Sequence, residues 1–283
     1  RKLTINSDGF IVGPASNNDI GQPVDIVFVG GSTTEALHVT ESLRFPFLVG
    51  QSLEQALNRK FLVYNAGVAG SNSMHSNIAV LAKIVKYKPD FIVLMNNIND
   101  WSLLSKTGTY FEAPLSRSIV LQTDRGDNQL SIIKQMLVKL KNLIMPNIYR
   151  LAVRPTIERF KNSPDEFRSH RPEQLFGIEK FQKEYQNSLQ TFINISKAWD
   201  IKPILMTQAS MIQQENRDTF EWNFQPEYLS QYISYQQKFN QDIKKIAILN
   251  KINYIDLDKY MSGKREFFYD EVHLTDAGSK RAA

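Results

Sequence analysis

The chain has no cysteine, only four histidines and no long hydrophobic run, and each of these features excludes a class of function. Without cysteine there is no disulfide bond, no thiolate catalyst and no cysteine-ligated metal site. The spacing of His38, His75 and His170 does not match a metal site, so we expect no metal. The glycine-rich turns lack the full phosphate-binding and dinucleotide-binding fingerprints, and no cofactor is predicted. No apolar run approaches the roughly 18–20 residues of a membrane span.

Acidic residues are too few to balance the basic ones, which gives the 283-residue chain a formal charge of +5. Much of the excess lies between residues 134 and 171. A solvated basic surface is the default interpretation of such a cluster, and we predict no nucleic-acid partner. Residues 130–144 carry leucine and isoleucine at helical spacing beside lysines. Core packing is the first interpretation of this stripe, and contact with a membrane surface is the alternative.

Short apolar runs alternate with helical patterns from residue 24 to residue 257. The alternation predicts a parallel sheet with helices on both faces, because right-handed crossovers lay successive helices against the sheet. We interpret residues 1–283 as a single domain. Residues 102–175 interrupt the rhythm with prolines and basic residues, and we interpret them as a helical insertion that rims or covers the functional site. The predicted strands are 25–29, 61–64, 91–95, 203–207 and 252–257, and the longer helices are about 45–59, 72–88, 177–199 and 226–250.

Ser32 follows the first apolar run, which stops at Gly30 and Gly31. A strand that ends in a glycine turn places the next side chain at the carboxyl edge of a parallel sheet, where α/β proteins bind their ligands. A serine in that place is also a common helix N-cap. The far end of the chain favours catalysis, because Asp270 stands three residues before His273. A serine nucleophile needs a histidine base and a carboxylate that orients it, and the chain supplies them in the order Ser, Asp, His.

Two further predicted strand ends arrive at the same edge, followed by the segments Asn65–Gly70 (NAGVAG) and Asn96–Asp100 (NNIND). Together with GGSTTE around Ser32 and DEVH at residues 270–273, these blocks resemble the SGNH hydrolases, also called GDSL-type esterases, over nearly the whole chain. The resemblance implies a flavodoxin-like, three-layer α/β/α sandwich around a central parallel sheet.

The resemblance also implies a role for each motif residue. Ser32 is the expected nucleophile, His273 the general base and Asp270 the carboxylate that orients the imidazole. The expected oxyanion hole consists of the main-chain amides of Ser32 and Gly70 and the side-chain amide of Asn99. Such donors stabilise the charge that develops on the carbonyl oxygen, and loss of one lowers the rate roughly 100- to 1000-fold.

The motifs depart from the family pattern at two positions. Gly31 replaces the aspartate of the Gly-Asp-Ser form, and Asn97 stands where the third block usually has glycine. We expect the side chain of Asn97 to narrow the pocket or to contact the substrate. Four residues that flank the motif positions are further candidate substrate contacts: Thr34, Glu35, Trp101 and Tyr269.

These observations predict a serine esterase that works through an acyl-enzyme and removes a small O-acyl group, such as acetyl, from a carbohydrate. The predicted partner is an acylated small molecule or a polysaccharide. The carbohydrate rests on the resemblance, which also favours a bacterial periplasmic or membrane-anchored setting outside the cytoplasm. A chain that starts at Arg1 agrees with a signal or anchor that has been removed.

Three alternatives stay open at this point. An O-acetyltransferase acting on a polysaccharide uses the same triad and differs only in the acceptor. A non-catalytic glycan-binding or assembly module keeps the fold without the reaction. A lipid esterase at a membrane surface uses the stripe at residues 130–144.

Overall fold

The computed structural model describes residues 3–14, 21–112, 176–216 and 226–283, and within them five strands form one sheet. They are β1 (Val24–Gly30), β2 (Phe61–Gly67), β3 (Phe91–Met95), β4 (Lys202–Met206) and β5 (Asn253–Ile255). Their order across the sheet is β2-β1-β3-β4-β5, and every neighbouring pair is parallel. This is the flavodoxin-like order, and it confirms the predicted fold class.

The strand order reverses between β1 and β3, which opens a crevice at the carboxyl ends of these two strands. Gly30 at the end of β1 is the register partner of Met95 at the end of β3. The segments that follow, Gly31–Ser32 and Asn96–Asn99, therefore leave the sheet side by side. The fold itself brings two of the four motif blocks to the same crevice.

Helices fill the connections between the strands, as the alternation predicted. They are α1 (Ser32–Glu35), α2 (Phe45–Leu57), α3 (Ser73–Ala79), α4 (Ile98–Thr107), α5 (Ile178–Ala198), α6 (Pro226–Leu249), α7 (Leu257–Met261) and α8 (Asp276–Ala282). A π-helical segment, Val80–Ile84, continues α3 toward β3.

The central strands β1 and β3 are largely apolar on both faces, and each face packs against a different set of helices. On β1, Val27 and Val29 belong to a core that includes residues of the π-helical segment, α4, α5 and α6. Ile26 and Phe28 belong to a second core with residues of α2, α7 and the C-terminal segment. Two cores on opposite faces of the sheet give the three predicted layers. Burial of both faces also explains why these two strands are nearly continuous apolar runs, whereas the edge strand β5 is exposed at all three residues.

The local sequence explains where α2 and α3 begin. Pro46 is the second residue of α2, where its missing N–H costs no helical hydrogen bond. Asn72 caps α3, because its side chain accepts a hydrogen bond from the amide of His75 at 3.0 Å. The imidazole of His75 accepts one in return from the amide of Asn72 at 3.3 Å. Asn72 and His75 thus form a capping box at the start of α3.

The first residues that we assigned to an insertion belong to the core instead. α4 runs from Ile98 to Thr107, and its Leu103 and Leu104 are 4% and 0% exposed. Residues 113–175 lie outside the described residues. They include the predicted stripe at residues 130–144 and the basic cluster at residues 134–171. The organisation as one domain with an insertion therefore stays a prediction. None of the helices that the structure describes is long and apolar enough to cross a membrane.

Replacing Leu104 by alanine tests whether α4 is part of the core. We expect Leu104→Ala to lower the free energy of unfolding by about 2–5 kcal/mol, because the side chain is fully buried. Leu57→Ala is the matched control, since Leu57 is 60% exposed on α2 and surface changes stay within about 0.5 kcal/mol. Urea unfolding measures both variants. Small, equal losses in the two variants contradict the placement of α4.

Candidate active site

A tight glycine turn places Ser32 at the end of β1. The strand ends at Gly30, and α1 begins at Ser32 with Gly31 as its N-cap residue. A β-carbon on Gly31 would lie 2.5 Å from Nδ2 of Asn99, closer than real β-carbon contacts. Glycine in place of the family's aspartate therefore leaves the room that Asn99 occupies beside the serine.

Three side chains form a hydrogen-bonded chain at the crevice. Oγ of Ser32 lies 2.6 Å from Nε2 of His273. Nδ1 of the same ring lies 2.7 Å from Oδ2 of Asp270. An ionised carboxylate accepts a hydrogen bond from the N–H group at Nδ1, and Nε2 is then free to accept the proton of the serine. The structure thus brings the three predicted residues together in the predicted order.

Asp270 is held by its own tight turn. Its Oδ1 accepts hydrogen bonds from the amides of Val272 at 3.0 Å and His273 at 2.8 Å. Burial by itself raises the pKa of Asp270, but the hydrogen bonds from the His273 ring and from these two amides outweigh it and hold the pKa below its ordinary value. The carboxylate therefore stays ionised at neutral pH and can accept the hydrogen bond from Nδ1 of His273.

The loop between β2 and α3 packs against the serine turn. Its Val68 amide donates to the carbonyl of Gly30 at 3.0 Å, and its Ser71 carbonyl accepts from Nδ2 of Asn99 at 2.9 Å. Gly70 lies between these contacts with φ of +79°, a conformation that favours glycine. The segments that carry the three predicted oxyanion-hole residues therefore touch one another.

Two of the predicted donors are unused in the part of the chain that the structure describes. The main-chain amides of Ser32 and Gly70 have no hydrogen-bond partner there. Asn99 donates one of its two amide hydrogens to the carbonyl of Ser71, and the second hydrogen is available to another acceptor. Free N–H groups in the first turn of a helix and in a glycine loop are typical donors to an anionic oxygen.

A small cavity of about 80 Å³ opens beside the hydroxyl of Ser32. Its walls include Glu35, Leu37, His38, Ala69, Tyr269 and His273. A wider groove of about 760 Å³ adjoins it and shares three of these residues, namely Leu37, His38 and Tyr269. Ser32 and His273 therefore lie in the narrow cavity, and the broad groove begins beyond the side chains that the two compartments share.

Tyr269 separates the two compartments and is 45% exposed. Its ring stacks on the His273 ring with the centroids 5.4 Å apart and 13° between the planes, and it contacts His38 edge-on at 5.0 Å. Partial burial, with the negative charge of Asp270, raises the pKa of Tyr269 to about 12. The groove thus presents a neutral, exposed aromatic ring directly beside the imidazole.

Glu35 lines the narrow cavity, where it was predicted as a substrate contact. Burial raises the pKa of its carboxyl, and the hydrogen bond from the amide of Ala69 and the charge of Arg44 offset this only in part. Glu35 therefore also ties α1 to the loop that carries Gly70.

None of the described residues forms a cluster of three or more His, Asp or Glu side chains suited to a metal ion.

Three predicted substrate contacts are buried: Thr34, Asn97 and Trp101 are 0%, 1% and 3% exposed. Nδ2 of Asn97 donates to Oδ1 of Asn240 on α6 at 2.8 Å. This side chain therefore contacts α6 and not the cavity beside Ser32. Trp101 donates from Nε1 to Gln236, also on α6, at 3.3 Å. Trp101 follows Asn99 by two residues, about 200° around the helix, so it faces the core. The structure therefore places these three side chains in the core, and none of them lines the cavity or the groove.

Asp100 is a buried residue near the site whose role the sequence did not reveal. Its Oδ1 accepts hydrogen bonds from the amide of Ser73 at 2.9 Å and from the hydroxyls of Ser73 at 2.5 Å and Tyr110 at 2.6 Å. Burial raises the pKa of Asp100 to about 6 although these donors lower it. The carboxyl ties the start of α3 to α4, next to Asn99. An acidic residue in the first turn of a helix is too common to signal such a role.

Residues 28–281 match the GDSL-like lipase/acylhydrolase family. The chain belongs to this family. The match covers the serine turn, the glycine loop, the Asn99 segment and the DEVH block, whose geometry is described above. The protein is thus a GDSL-type, or SGNH-type, acylhydrolase by family.

Two solved structures that share this fold are distant from this acylhydrolase in sequence. The acetylxylan esterase Axe2 from Geobacillus stearothermophilus is 15% identical, with 91% of this chain and 90% of that chain covered and a TM-score of 0.52. LAE5, an α/β hydrolase from the metagenome of Lake Arreo in Spain, is 14% identical at the same coverage, with a TM-score of 0.51. At these identities the similarity shows the shared fold. No curated protein sequence matches the chain.

The buried carboxyl of Asp100 predicts a pH-dependent stability. Its pKa rises from 3.8 to about 6 on folding, so the protonated carboxyl stabilises the folded state. This contribution to the free energy of unfolding is fully present below about pH 4 and is lost as the pH rises through about 6. Asp100→Asn removes this titration. Between about pH 4 and pH 7 we expect the free energy of unfolding of the variant to rise, relative to wild type, by up to about 3 kcal/mol.

Urea unfolding across this pH range measures the difference between the two proteins. Asp200→Asn, at an exposed position, is the matched control for the change of side chain. A pH-independent difference between Asp100→Asn and wild type contradicts the assignment.

Proposed function

We propose that the protein is a serine esterase that forms an acyl-enzyme on Ser32 and removes a small O-acyl group, acetyl above all, from a carbohydrate. The observation that carries the proposal is the 2.6 Å contact between Oγ of Ser32 and Nε2 of His273, with Asp270 on the other ring nitrogen. A base within hydrogen-bond reach of the hydroxyl is what activation of a serine requires.

The first half of the reaction breaks the ester. Oγ of Ser32 bonds to the carbonyl carbon while its proton moves to Nε2 of His273, and the π electrons of the carbonyl move onto its oxygen. The amides of Ser32, Gly70 and Asn99 stabilise this oxyanion. When the carbonyl re-forms, the bond to the alcohol oxygen breaks, and the alcohol leaves with the proton from Nε2.

The second half returns the enzyme to its starting state. A water molecule gives a proton to Nε2 of His273, and its oxygen bonds to the carbonyl carbon of the acyl group on Ser32. Collapse releases the carboxylic acid, and Oγ takes back the proton from Nε2. Asp270 stays ionised throughout and stabilises the imidazolium that forms twice in each cycle.

The size of the narrow cavity supports a small acyl group. Its volume of about 80 Å³ is far below the roughly 300–1,000 Å³ typical of pockets that enclose drug-sized ligands. A long acyl chain finds no enclosed tunnel in the described residues that line the cavity, such as Leu37, Ala69 and Tyr269. An acetyl group is the acyl group that fits such a volume best.

The wide groove supports a carbohydrate as the alcohol part of the ester. It offers the exposed ring of Tyr269 as a stacking surface and polar side chains for hydroxyl groups, including His38, Glu266 and Thr275. The carboxylates of Glu266 and Asp276 disfavour an acidic polysaccharide. Axe2, which shares the fold, is described as an acetyl-xylooligosaccharide esterase, and we propose a neutral acetylated sugar here too.

An O-acetyltransferase is the second candidate, and the open groove that adjoins the cavity of Ser32 is the observation that favours it. A hydroxyl group of a bound polysaccharide takes the place of water in the second half-reaction, with the same roles for His273 and Asp270. The ratio of free acetate to acetylated acceptor, measured from one acetyl donor with a panel of sugars, separates the two candidates. Release of acetate alone across the panel contradicts the transferase.

Ser32→Ala tests the proposed function. We expect it to lower the rate of 4-nitrophenyl acetate hydrolysis roughly 10⁴-fold or more, because no other group forms the acyl-enzyme. Ser52→Ala on the exposed side of α2 is the matched control and keeps the wild-type rate. Release of 4-nitrophenol, followed by absorbance, measures all three proteins.

Equal rates in wild type and Ser32→Ala, or no activity in either, contradict the proposal. Such a result favours the alternative of a glycan-binding module that keeps the fold without the reaction. Calorimetric titration with acetylated and deacetylated xylo-oligosaccharides then tests that alternative.

Tyr269→Ala tests the groove as the sugar site. We expect kcat/KM for an acetylated xylo-oligosaccharide to fall about tenfold, since an aromatic contact is worth about 0.5–1.5 kcal/mol. Tyr269→Phe keeps the ring and most of the activity. Tyr260→Ala, at a 55% exposed tyrosine on α7, is the matched control. An unchanged kcat/KM for Tyr269→Ala excludes this ring from sugar binding.

A further inference from the structure

Ser32 and Asn99 must keep a fixed distance although they belong to different elements. Ser32 follows β1 and Asn99 lies in the first turn of α4, after β3. Main-chain pairing between these strands reaches Gly30 and Met95 and ends there. Beyond that pair, side chains have to hold the two segments together. A displacement of about 1 Å between reacting groups can lower a rate about 100-fold.

The side chain of Gln208 bridges these two segments. Its Nε2 donates to Oγ1 of Thr33 at 2.8 Å, and its Oε1 accepts from the amide of Ile98 at 2.9 Å. Thr33 directly follows Ser32, and Ile98 directly precedes Asn99. One neutral amide therefore joins the neighbour of the proposed nucleophile to the neighbour of the proposed oxyanion donor.

The backbone of Gln208 is itself anchored. The residue follows β4 and is 4% exposed. Its amide donates to Oδ1 of Asn240 at 3.1 Å, and its carbonyl accepts from Nδ2 of Asn240 and Nε2 of Gln236, each at 2.9 Å. Both partners lie on α6, which packs in the core beneath the site. The bridge is thus attached to a rigid helix rather than to a surface loop.

Asn97 connects the same helix to the start of α4. Its Nδ2 donates to Oδ1 of Asn240 at 2.8 Å and to the carbonyl of Gln236 at 3.0 Å. Oδ1 of Asn240 therefore accepts from both Asn97 and the Gln208 amide. Asn97 stands where the family usually has glycine, and its side chain joins a buried amide network with Asn240 and Gln208. This network ends at the segments that carry Ser32 and Asn99.

We propose that Gln208 is a positioning residue, which sets the oxyanion donor Asn99 relative to the nucleophile Ser32. The proposal rests on the proposed function of these two residues. Gln208 does not line the cavity beside Ser32 or the adjoining groove. It acts through Thr33 and Ile98. Its loss should therefore lower kcat and leave KM unchanged.

Gln208→Met tests the proposal, because methionine keeps the unbranched shape and makes neither hydrogen bond. With 4-nitrophenyl acetate we expect kcat to fall roughly 10- to 100-fold at an unchanged KM. Gln186→Met on α5 is the matched control. It removes one hydrogen bond to Asp242 at 3.0 Å, while Gln182 still donates to that carboxylate at 2.8 and 2.9 Å. The control should keep the wild-type kcat.

A double-mutant cycle with Asn99→Ala separates positioning from a general loss of structure. If Gln208 acts by placing Asn99, Gln208→Met lowers kcat much less in the Asn99→Ala background than in wild type. Thermal unfolding shows that each variant is folded at the assay temperature. Thr33→Val, which removes the hydroxyl that Gln208 contacts, should reproduce part of the loss.

The outcomes distinguish this proposal from the proposed function. If wild type hydrolyses the ester through Ser32 and folded Gln208→Met has the same kcat, the positioning role is wrong and the function stands. Equal losses from Gln208→Met with and without Asn99 also contradict the role. If Ser32→Ala is as active as wild type, both proposals fail.

Discussion

The 2.6 Å contact between Ser32 and His273 joins residues 241 positions apart, which the sheet and the C-terminal segment bring to the same edge. β1 carries the serine to the carboxyl edge of the sheet. The C-terminal segment returns the histidine to the same edge, where Phe268 and Leu274 pack in the core on either side of it. The amide of Tyr269 donates to the carbonyl of His273 at 3.1 Å and closes this segment into a tight loop. Because both partners are anchored in the same core, no large movement is needed for proton transfer.

Around this pair the structure places neutral amide groups where a charged group would perturb the reaction. Asn99 donates without carrying a charge, and Gln208 and Asn240 hold the surrounding segments through hydrogen bonds alone. A preorganised neutral donor stabilises an oxyanion without competing for the proton on the imidazole. Buried amides are costly when unpaired, so a network of this kind is stable only where nearly every donor and acceptor is used. Three carboxylates near the site have other tasks: Asp270 orients His273, Asp100 attaches α3 to α4, and Glu35 attaches α1 to the loop that carries Gly70.

Sequence patterns predicted the sheet and the helices, because apolar runs and glycine turns report local structure directly. The meeting of Ser32, Asp270 and His273 was predicted from the residue types that a serine nucleophile needs and from the family resemblance. The side of a helix that faces the core is harder to predict. Trp101 and Asn97 flank Asn99 along the chain yet point to α6, since two residues along a helix lie on nearly opposite faces. Gln208 had no signal in the sequence, because its partner Thr33 lies 175 positions away and only the folded sheet brings them together.

Intact mass after exposure to a fluorophosphonate probe tests the central claim most directly, because the probe reacts with an activated serine whatever the natural substrate is. The account predicts a single adduct on the wild-type protein, located on Ser32 by peptide mapping and missing from Ser32→Ala. His273→Ala should react far more slowly, since the serine then has no base. An adduct on another residue, or no adduct on a protein that is folded, would contradict the claim that the pair at 2.6 Å is a working nucleophile and base.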